Sequence, residues 1–196
     1  MKIILATHNR DKEKELQKSL EGINVKICSL FDFSKIGEIE ETGTTLLENS
    51  LLKARTVFDI TGIPTIADDT GLEVDFLDGA PGVYSARYAG NNVSYQDNLN
   101  KLLFELDGVP NEKRTARFRT VITYIDKEEE LWTEGHIDGI ISETIIGDRG
   151  FGYDPIFFVP HIGKTFAELS SDEKNKISHR GIALQKLRKI LINVLK

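Results

Sequence analysis

The segment IADDTGLEVDFLDGAPGVYSARY, residues 66–88, places two adjacent carboxylates, Asp68 and Asp69, directly after a short apolar run. The apolar pair before them predicts the end of a buried strand, and Thr70-Gly71 predicts a tight turn. Because ligands of open α/β sheets bind beyond the carboxyl ends of strands, this position favours a binding or catalytic site. A solvated turn is the alternative, because Asp and Gly are also common in turns for conformational reasons.

The length and the composition, with 40% hydrophobic and 29% charged residues, indicate one globular domain covering residues 1–196, built either as a single body or as two lobes that share a sheet. The single cysteine, Cys28, excludes an internal disulfide framework and fits the cytoplasm. No stretch approaches the roughly 20 apolar residues of a membrane span. The net charge of −6 disfavours general nucleic-acid binding, which uses a broadly positive surface. We therefore expect a cytoplasmic protein that binds neither membranes nor nucleic acids.

The spacing of apolar residues predicts strands that alternate with helices. Predicted strands cover residues 2–6, 25–30, 116–124, 131–141 and 156–159. Predicted helices cover residues 11–20 and 94–106, and a last amphipathic helix carries apolar positions from Leu184 to Leu195. A long helix begins at a capping box of Thr45 and Glu48 and stops at Gly62. The strand pair 116–141 reads as an antiparallel hairpin, so the predicted sheet is mixed.

The polar segment Thr7-His8-Asn9-Arg10-Asp11-Lys12 lies between the first strand and the first helix. Free backbone N–H groups and the helix dipole attract anions at such a position. Thr7, Asn9 and Lys12 add further donors, although the glycines of a Walker A loop are absent. The segment indicates phosphate binding, with an ordinary helix cap followed by solvated charges as the alternative.

The acidic segment Glu40-Glu41-Thr42-Gly43 precedes the long helix, which presents Lys53. Mg²⁺ binds a few carboxylate oxygens while it keeps water and substrate phosphates as its other ligands. Glu40 together with Asp69 can supply those carboxylates. Simple complementation of the helix dipole is the alternative.

Two segments near the carboxyl end combine residues suited to a flat, anionic ligand. Residues 150–155 join two glycines, two aromatics and a carboxylate, so the backbone can approach a ligand and a ring can stack on a base. Residues 173–181 place Lys174, His179 and Arg180 near a joint between helices marked by Gly181, where arginine can bind phosphate or carbonyl oxygens. A core-capping loop and a solvated joint are the alternatives.

Together these segments resemble the inosine triphosphate pyrophosphatase family over nearly the whole chain. The matching motifs are TxNxxK at 7–12, EETG at 40–43, ADDTGL at 67–72, GAPGVYSARY at 79–88, GFGYDPIF at 150–157 and EKNKISHRG at 173–181. Six motifs in the family's order are far more specific than any one of them.

The resemblance implies an α/β fold with a long mixed sheet, flanking helices and two lobes around a central cleft. It implies a homodimer that hydrolyses ITP, dITP and XTP to the monophosphate and pyrophosphate, which keeps these nucleotides out of nucleic acids. The implied cofactor is Mg²⁺, with Mn²⁺ as a possible substitute.

The resemblance also assigns roles to individual residues. Glu40 and Asp69 would bind Mg²⁺, and Asp69 would be the general base for water. The implied substrate-binding residues are Thr7, His8, Asn9, Arg10, Asp11, Lys12, Lys53, Thr70, Phe151, Gly152, Tyr153, Asp154, Lys174, His179 and Arg180. The phosphates would be bound by Thr7, Asn9 and Lys12, with Lys53 and Lys174 as further cationic contacts. Part of the base pocket would be formed by residues 151–154, and the purine edge would be recognised by His179 and Arg180. Thr70 stands where serine is common, and His8 stands where glycine is frequent.

Other functions are weighed against this one. A Maf-type pyrophosphatase, which prefers pyrimidine or modified nucleotides, is the alternative within the enzyme class, and a Nudix enzyme is disfavoured because its characteristic helix motif is absent. A regulator that binds a nucleotide without cleaving it gains nothing from Glu40, Asp68 and Asp69 unless a metal bridges them to the polyanion. An RNA-binding module lacks both a basic surface and a recognisable motif.

Overall fold

Eight strands form one mixed sheet in the computed structural model, which describes residues 1–33 and 35–194. The strands are β1 (Lys2–Leu5), β2 (Lys26–Ser29), β3 (Thr65–Val74), β4 (Pro81–Gly82), β5 (Thr115–Ile125), β6 (Glu130–Ile141), β7 (Phe157–Val159) and β8 (Lys164–Thr165). Their order is β2-β1-β3-β5-β6-β7-β8, with β4 paired to β3. β1 is parallel to β2 and β3, whereas the β3–β4, β6–β7 and β7–β8 pairs are antiparallel. The predicted mixed α/β sheet is confirmed; the predicted central cleft and single domain stay predictions.

The helices are α1 (Arg10–Ser19), α2 (Leu46–Thr61), α3 (Tyr95–Glu105), α4 (Ser171–Ile177) and α5 (His179–Val194). α2 begins at the predicted capping box, in which the Thr45 hydroxyl accepts from the backbone N–H of Glu48 at 3.2 Å. The predicted joint between the last two helices falls at Ser178, so Gly181 lies inside α5. Leu195, placed in the last predicted helix, lies outside the described residues. No helix of the described residues combines the length and hydropathy that a membrane span needs.

One local prediction is wrong: the chain does not turn at Thr70-Gly71. β3 continues from Thr65 to Val74 and is buried along most of its length. Its parallel partner β1 ends opposite Ile66, and β4 then pairs with its far end, where Leu72 faces Gly82. Asp and Gly are frequent in turns but do not require one. Here Lys12 pairs with Asp68 and Lys53 pairs with Asp69, so both carboxylates have protein partners and the strand can continue.

The chain divides into two compact units. The first comprises Met1–Asp69, Thr120–Gly135 and Arg180–Lys196, and the second comprises Thr70–Arg119 and His136–His179.

In the first unit the sheet separates two apolar clusters. Ile66 belongs to a cluster with Leu16 of α1 and Leu187 of α5, whereas the next residue, Ala67, belongs to a cluster with Val57 of α2. Because successive strand residues point to opposite faces, α1 and α5 cover one face and α2 covers the other.

The second unit has its own apolar core, which includes Leu99 and Leu102 of α3, Phe118 of β5 and Phe157 of β7.

β5 and β6 are sheet neighbours joined by only four residues, a connection too short for parallel strands. The predicted antiparallel hairpin is therefore confirmed.

Candidate active site

The adjacent carboxylates Asp68 and Asp69 lie on opposite faces of β3. Asp68 shares the face of Ile66, which α1 and α5 cover, and Asp69 shares the face of Ala67, which α2 covers. Each carboxylate therefore has its own set of partners, and the pair is not a dyad that shares one proton.

Asp68 is fully buried and lies beside two cations. Its carboxylate is 3.1 Å from the Lys12 ammonium and 3.5 Å from Nε of Arg180. Burial alone would raise the pKa of Asp68, but the positive charges of Lys12, Arg180 and Lys53 outweigh it and hold that pKa well below its usual range. Asp68 is therefore ionised at neutral pH, and its carboxylate pairs with the ammonium of Lys12.

Arg180 is held by carboxylates at two of its nitrogens. Besides the Asp68 contact through Nε, its Nη1 donates to the Glu15 carboxylate of α1. The Arg180 side chain is only 3% exposed. The sequence analysis assigned this arginine to the purine and did not single out Glu15, whose position one turn beyond Asp11 and Lys12 on α1 is the signal that could have found it.

The predicted phosphate loop is organised by its own side chains. The Thr7 hydroxyl accepts from the backbone N–H of Asn9 at 3.2 Å, and Asn9 Oδ1 accepts from the backbone N–H groups of Asp11 and Lys12 at 2.9 and 3.1 Å. Asn9 is thus the N-cap of α1. These contacts set the direction in which Lys12 leaves the helix.

The remaining loop residues lie around Phe31. The Arg10 guanidinium lies 3.4 Å from the Phe31 ring centroid, and the His8 ring meets the same ring edge-on at 5.7 Å between centroids. Asp11 forms an exposed ion pair with Lys14. His8, which stands where the family often has glycine, therefore has a specific packing partner.

Asp69 accepts hydrogen bonds at both carboxylate oxygens. Oδ1 accepts from the Lys53 ammonium at 3.0 Å, and Oδ2 accepts from the Asn49 side-chain amide at 3.3 Å. Burial raises the pKa of Asp69 and the nearby Glu41 raises it further, while Lys53 and Lys12 act in the opposite direction. A carboxylate with a raised pKa is a stronger base than an ordinary aspartate, as a general base for water requires.

Lys53 bridges Asp69 to Glu41, whose carboxylate is 2.6 Å from the Lys53 ammonium. Burial alone would lower the pKa of Lys53, but Asp69, Glu41 and Asp68 outweigh it and raise the pKa, so the ammonium stays charged. The structure places Glu41 beside this lysine, whereas the predicted metal ligand Glu40 is exposed. The role of Glu40 as a metal ligand stays a prediction.

A close contact fixes the orientation of Asn49. Asn49 Oδ1 accepts from the backbone N–H of Gly43 at 2.8 Å, so its amide nitrogen is the group that faces Asp69. A Cβ on Gly43 would lie 2.6 Å from that oxygen, which explains the glycine. Asn49 was missed by the sequence analysis, although its spacing of four residues from Lys53 on α2 placed both on one helix face.

Within the second unit, Asp154 holds two of the residues predicted to bind substrate. Its carboxylate accepts from the Lys174 ammonium at 2.6 Å and from the backbone N–H of Phe151 at 2.9 Å. The ammonium lies 4.7 Å from the centroid of the Phe151 ring. A Cβ on Gly150 would lie 2.0 Å from Asp154 Oδ2, so that position has no room for a side chain.

The other predicted residues of this unit differ in exposure. Thr70 and Gly152 are half-buried, whereas His179 is buried against the ring of Phe118. Tyr153 is also buried, and its hydroxyl donates to the backbone carbonyl of Ser85 at 3.0 Å. Tyr153 therefore packs in the core of the second unit, and its hydrogen bond holds the segment that contains Ser85.

Replacing Asp68 is expected to destabilise the fold, since it removes a buried carboxylate from the half-buried Lys12 and leaves the buried Arg180 with Glu15 alone among the two carboxylates described above. We expect Asp68→Asn to lower the free energy of unfolding by about 3–5 kcal/mol in urea denaturation. Because the folded pKa of Asp68 lies below its unfolded value, its stabilisation is present above roughly pH 4 and is lost as pH falls through the folded pKa. The wild type should therefore lose part of its advantage over the variant in acid.

The matched control is Glu130→Gln, which removes a carboxylate from an exposed ion pair with Arg55. Exposed pairs contribute about 0–1 kcal/mol, so this variant should be nearly as stable as wild type. Equal losses for Asp68→Asn and Glu130→Gln would show that Asp68 has no special structural role.

The chain is similar to known proteins along nearly its full length. The model of the Ham1 family matches residues 3–190. The dITP/XTP pyrophosphatase of Thermoanaerobacter sp. (strain X514) is 50% identical over 192 residues, covering 98% of this chain and 97% of the relative. The dITP/XTP pyrophosphatase of Bacillus subtilis (strain 168) is 51% identical over 189 residues, covering 96% of each chain.

Solved structures show the same similarity. The HAM1 protein of Coxiella burnetii superposes with a TM-score of 0.90 at 41% identity, over 98% of this chain and 99% of that one. The Ham1 protein of Staphylococcus aureus superposes with a TM-score of 0.89 at 37% identity, with the same coverage.

Proposed function

Because the chain belongs to the Ham1 family, we propose that it hydrolyses ITP, dITP and XTP to the nucleoside monophosphate and pyrophosphate. Relatives that share half of its residues are named dITP/XTP pyrophosphatases. The observation that carries the proposal is the buried carboxylate of Asp69, which Lys53 and Asn49 hold in place by hydrogen bonds. Burial also raises the pKa of this carboxyl. Such a group suits the removal of a proton from water.

In the proposed reaction, Lys12 and Lys53 bind phosphate oxygens and offset the charge that builds on them. Asp69 accepts a proton from the water that attacks the α-phosphorus, and pyrophosphate is the leaving group. Asp68 does not take part in the proton transfer, because its partners hold it ionised as a weak base. The neighbouring carboxylates therefore have separate duties in this proposal.

The charges of the first unit favour a metal-assisted reaction. The carboxylates of Glu15, Glu41, Asp68 and Asp69 lie beside the cations Lys12, Lys53 and Arg180. A triphosphate bound at Lys12 and Lys53 would bring further negative charge close to Asp69 and Glu41. A divalent cation would offset the repulsion between these carboxylates and the phosphates.

We therefore propose Mg²⁺ as the cofactor, with Mn²⁺ as a substitute. Asp69 and Glu41 share one cationic partner, Lys53. Their carboxylate oxygens are the type of ligand that a hard cation such as Mg²⁺ prefers. Glu40 is exposed, so its side chain would have to turn inward to join them. No three His, Cys, Asp or Glu side chains of the described residues group into a metal site, and Mg²⁺ commonly uses one or two carboxylates with phosphates and water. When bound, Mg²⁺ supplies positive charge to the phosphates.

The base-recognition roles of Phe151 and His179 are part of the same proposal, as is the assignment of Arg180 to the purine. Phe151 would supply an aromatic face for stacking, and its backbone is held by Asp154. A homodimer in the cytoplasm is also proposed, and the sequence resemblance alone supports it.

Product analysis tests the reaction directly. Incubation with ITP and Mg²⁺ should release inorganic pyrophosphate in equal amount to IMP, EDTA should abolish turnover, and Mg²⁺ or Mn²⁺ should restore it. Release of one orthophosphate with IDP would contradict attack at the α-phosphorus. Binding of ITP without any product would instead identify a nucleotide-binding regulator.

A further inference from the structure

The imidazole of His179 is stacked on the phenyl ring of Phe118. The two ring centroids are 4.6 Å apart and the planes differ by 15°. His179 begins α5 and Phe118 lies on β5, and both belong to the second unit. Only 2% of His179 and 6% of Phe118 is exposed, so packing holds the pair in this arrangement.

Two further rings keep Phe118 in place. Phe157 is 4.6 Å from it at a tilt of 54°, and Phe166 is 5.9 Å from it and nearly parallel. Phe166 also lies 6.2 Å from His179. The ring contacts of Phe157 are with Phe118 and Phe166, whereas the rings stacked with His179 are those of Phe118 and Phe166.

We propose that Phe118 is a positioning residue for purine recognition, because its ring fixes the plane in which His179 can donate a hydrogen bond. Both nitrogens of an imidazole direct their hydrogen bonds within the ring plane. A ring stacked on a fixed neighbour can rotate within that plane but cannot tilt out of it without losing the contact. The donor of His179 is thereby oriented before substrate binds.

This proposal rests on the proposed function, in which His179 recognises the purine. A side chain that is already ordered loses less freedom on binding, and ordering one costs about 0.5–1.5 kcal/mol. Removal of the stack should therefore reduce kcat/KM for ITP by about two- to tenfold, mainly through KM.

The chain offers a matched pair of variants for the test. Phe118→Leu and Phe157→Leu each remove one ring from the same buried cluster, and both should lower the melting temperature. Only Phe118→Leu removes the stack on His179, so it alone should show the two- to tenfold loss of kcat/KM for ITP. A structural role without positioning would make the two losses equal.

A spectroscopic readout tests the stack itself. The protein has four histidines, so labelling them with ¹³C gives a simple spectrum in which His179→Gln identifies the signal of His179. Protons above an aromatic face are shifted upfield, so we expect an upfield His179 ring signal in the wild type. This shift should be lost in Phe118→Leu and largely retained in Phe157→Leu.

Each outcome supports or overturns the proposal. An ordinary His179 shift in the wild type, or equal losses of kcat/KM in the two leucine variants, would overturn the role of Phe118 while leaving the hydrolase intact. Failure of the wild type to release pyrophosphate from ITP would overturn the proposed function and the recognition role with it. If Phe118→Leu does not fold, Phe118→Met, which retains more volume without a ring, takes its place.

Discussion

Asp69→Asn is expected to lower kcat for ITP by about 10³- to 10⁴-fold at saturating Mg²⁺, because an amide cannot accept the proton of the attacking water. The melting temperature should hardly change. Lys53 retains its contact with Glu41, and a carboxyl with a raised pKa contributes no stability through its ionised form at neutral pH. Steady-state kinetics and thermal melts of the same preparations check both parts.

The adjacent Asp68→Asn variant serves as the contrast, since it should lose stability rather than show a defect confined to kcat. The pH dependence adds a second check: activity of the wild type should fall on acidification at a pH above the ordinary aspartate value of about 3.9, because the pKa of Asp69 is raised. Near wild-type turnover in Asp69→Asn would show that another group serves as the base.

The second large effect concerns the choice of base. Hypoxanthine and xanthine carry a carbonyl acceptor at the purine 6-position, whereas adenine carries an amino donor. An arginine can only donate, and a histidine can be held as a donor, so adenine would oppose donor to donor. Sites built around such a hydrogen bond reject the mismatched ligand by about 10⁴-fold, so kcat/KM for ATP should be lower than for ITP by that order.

Arg180→Ala separates two roles that the structure allows for this arginine. If Arg180 donates to the purine, the variant should lose far more kcat/KM on ITP than on ATP. Alternatively, Arg180 contacts Asp68, which in turn pairs with Lys12, and the arginine could act on the phosphates through this chain of contacts. In that case the losses of kcat/KM should be equal for the two nucleotides. We expect the first result, with an added loss of stability because Asp68 would keep Lys12 but lose its second cationic partner.

Arg188→Ala is the matched control for this comparison. Arg188 also lies on α5 and also contacts the α1 region, but it donates to the backbone carbonyls of Ser19 and Glu21. Its removal should leave the preference for ITP over ATP unchanged. A similar change of preference in both variants would mean that the link between the helices, and not Arg180 itself, controls selectivity.

Local sequence signals predicted the elements that depend on local interactions. The capping box of Thr45 and Glu48 and the apolar face that follows it determine where α2 begins, and both are visible in the chain. The alternation of apolar residues likewise revealed the β5–β6 hairpin. Such signals act over a few residues and need no knowledge of distant partners.

Signals that depend on distant partners were misread. Asp-Asp-Thr-Gly looked like a turn because Asp and Gly are common in turns. The segment remains a strand, and its carboxylates pair with Lys12 of α1 and Lys53 of α2, partners that the local sequence does not reveal. Which of Glu40 and Glu41 lies beside Lys53 depends on how the segment before α2 is oriented, and the motif does not contain that information. The motifs therefore singled out the segments that carry these charges, while the pairing of the charges required the fold.

The alternation of Asp68 and Asp69 across β3 limits how the length of this gene segment can change. A strand that gains or loses one residue presents every following side chain to the opposite face. A single-codon deletion between Thr65 and Asp68 would thus turn Asp69 toward the helices that now cover Asp68, and would put the carboxylate proposed as the general base in the place of the structural one. Substitutions in this stretch can accumulate gradually, but insertions and deletions cannot, so the family should diverge here in composition and not in length.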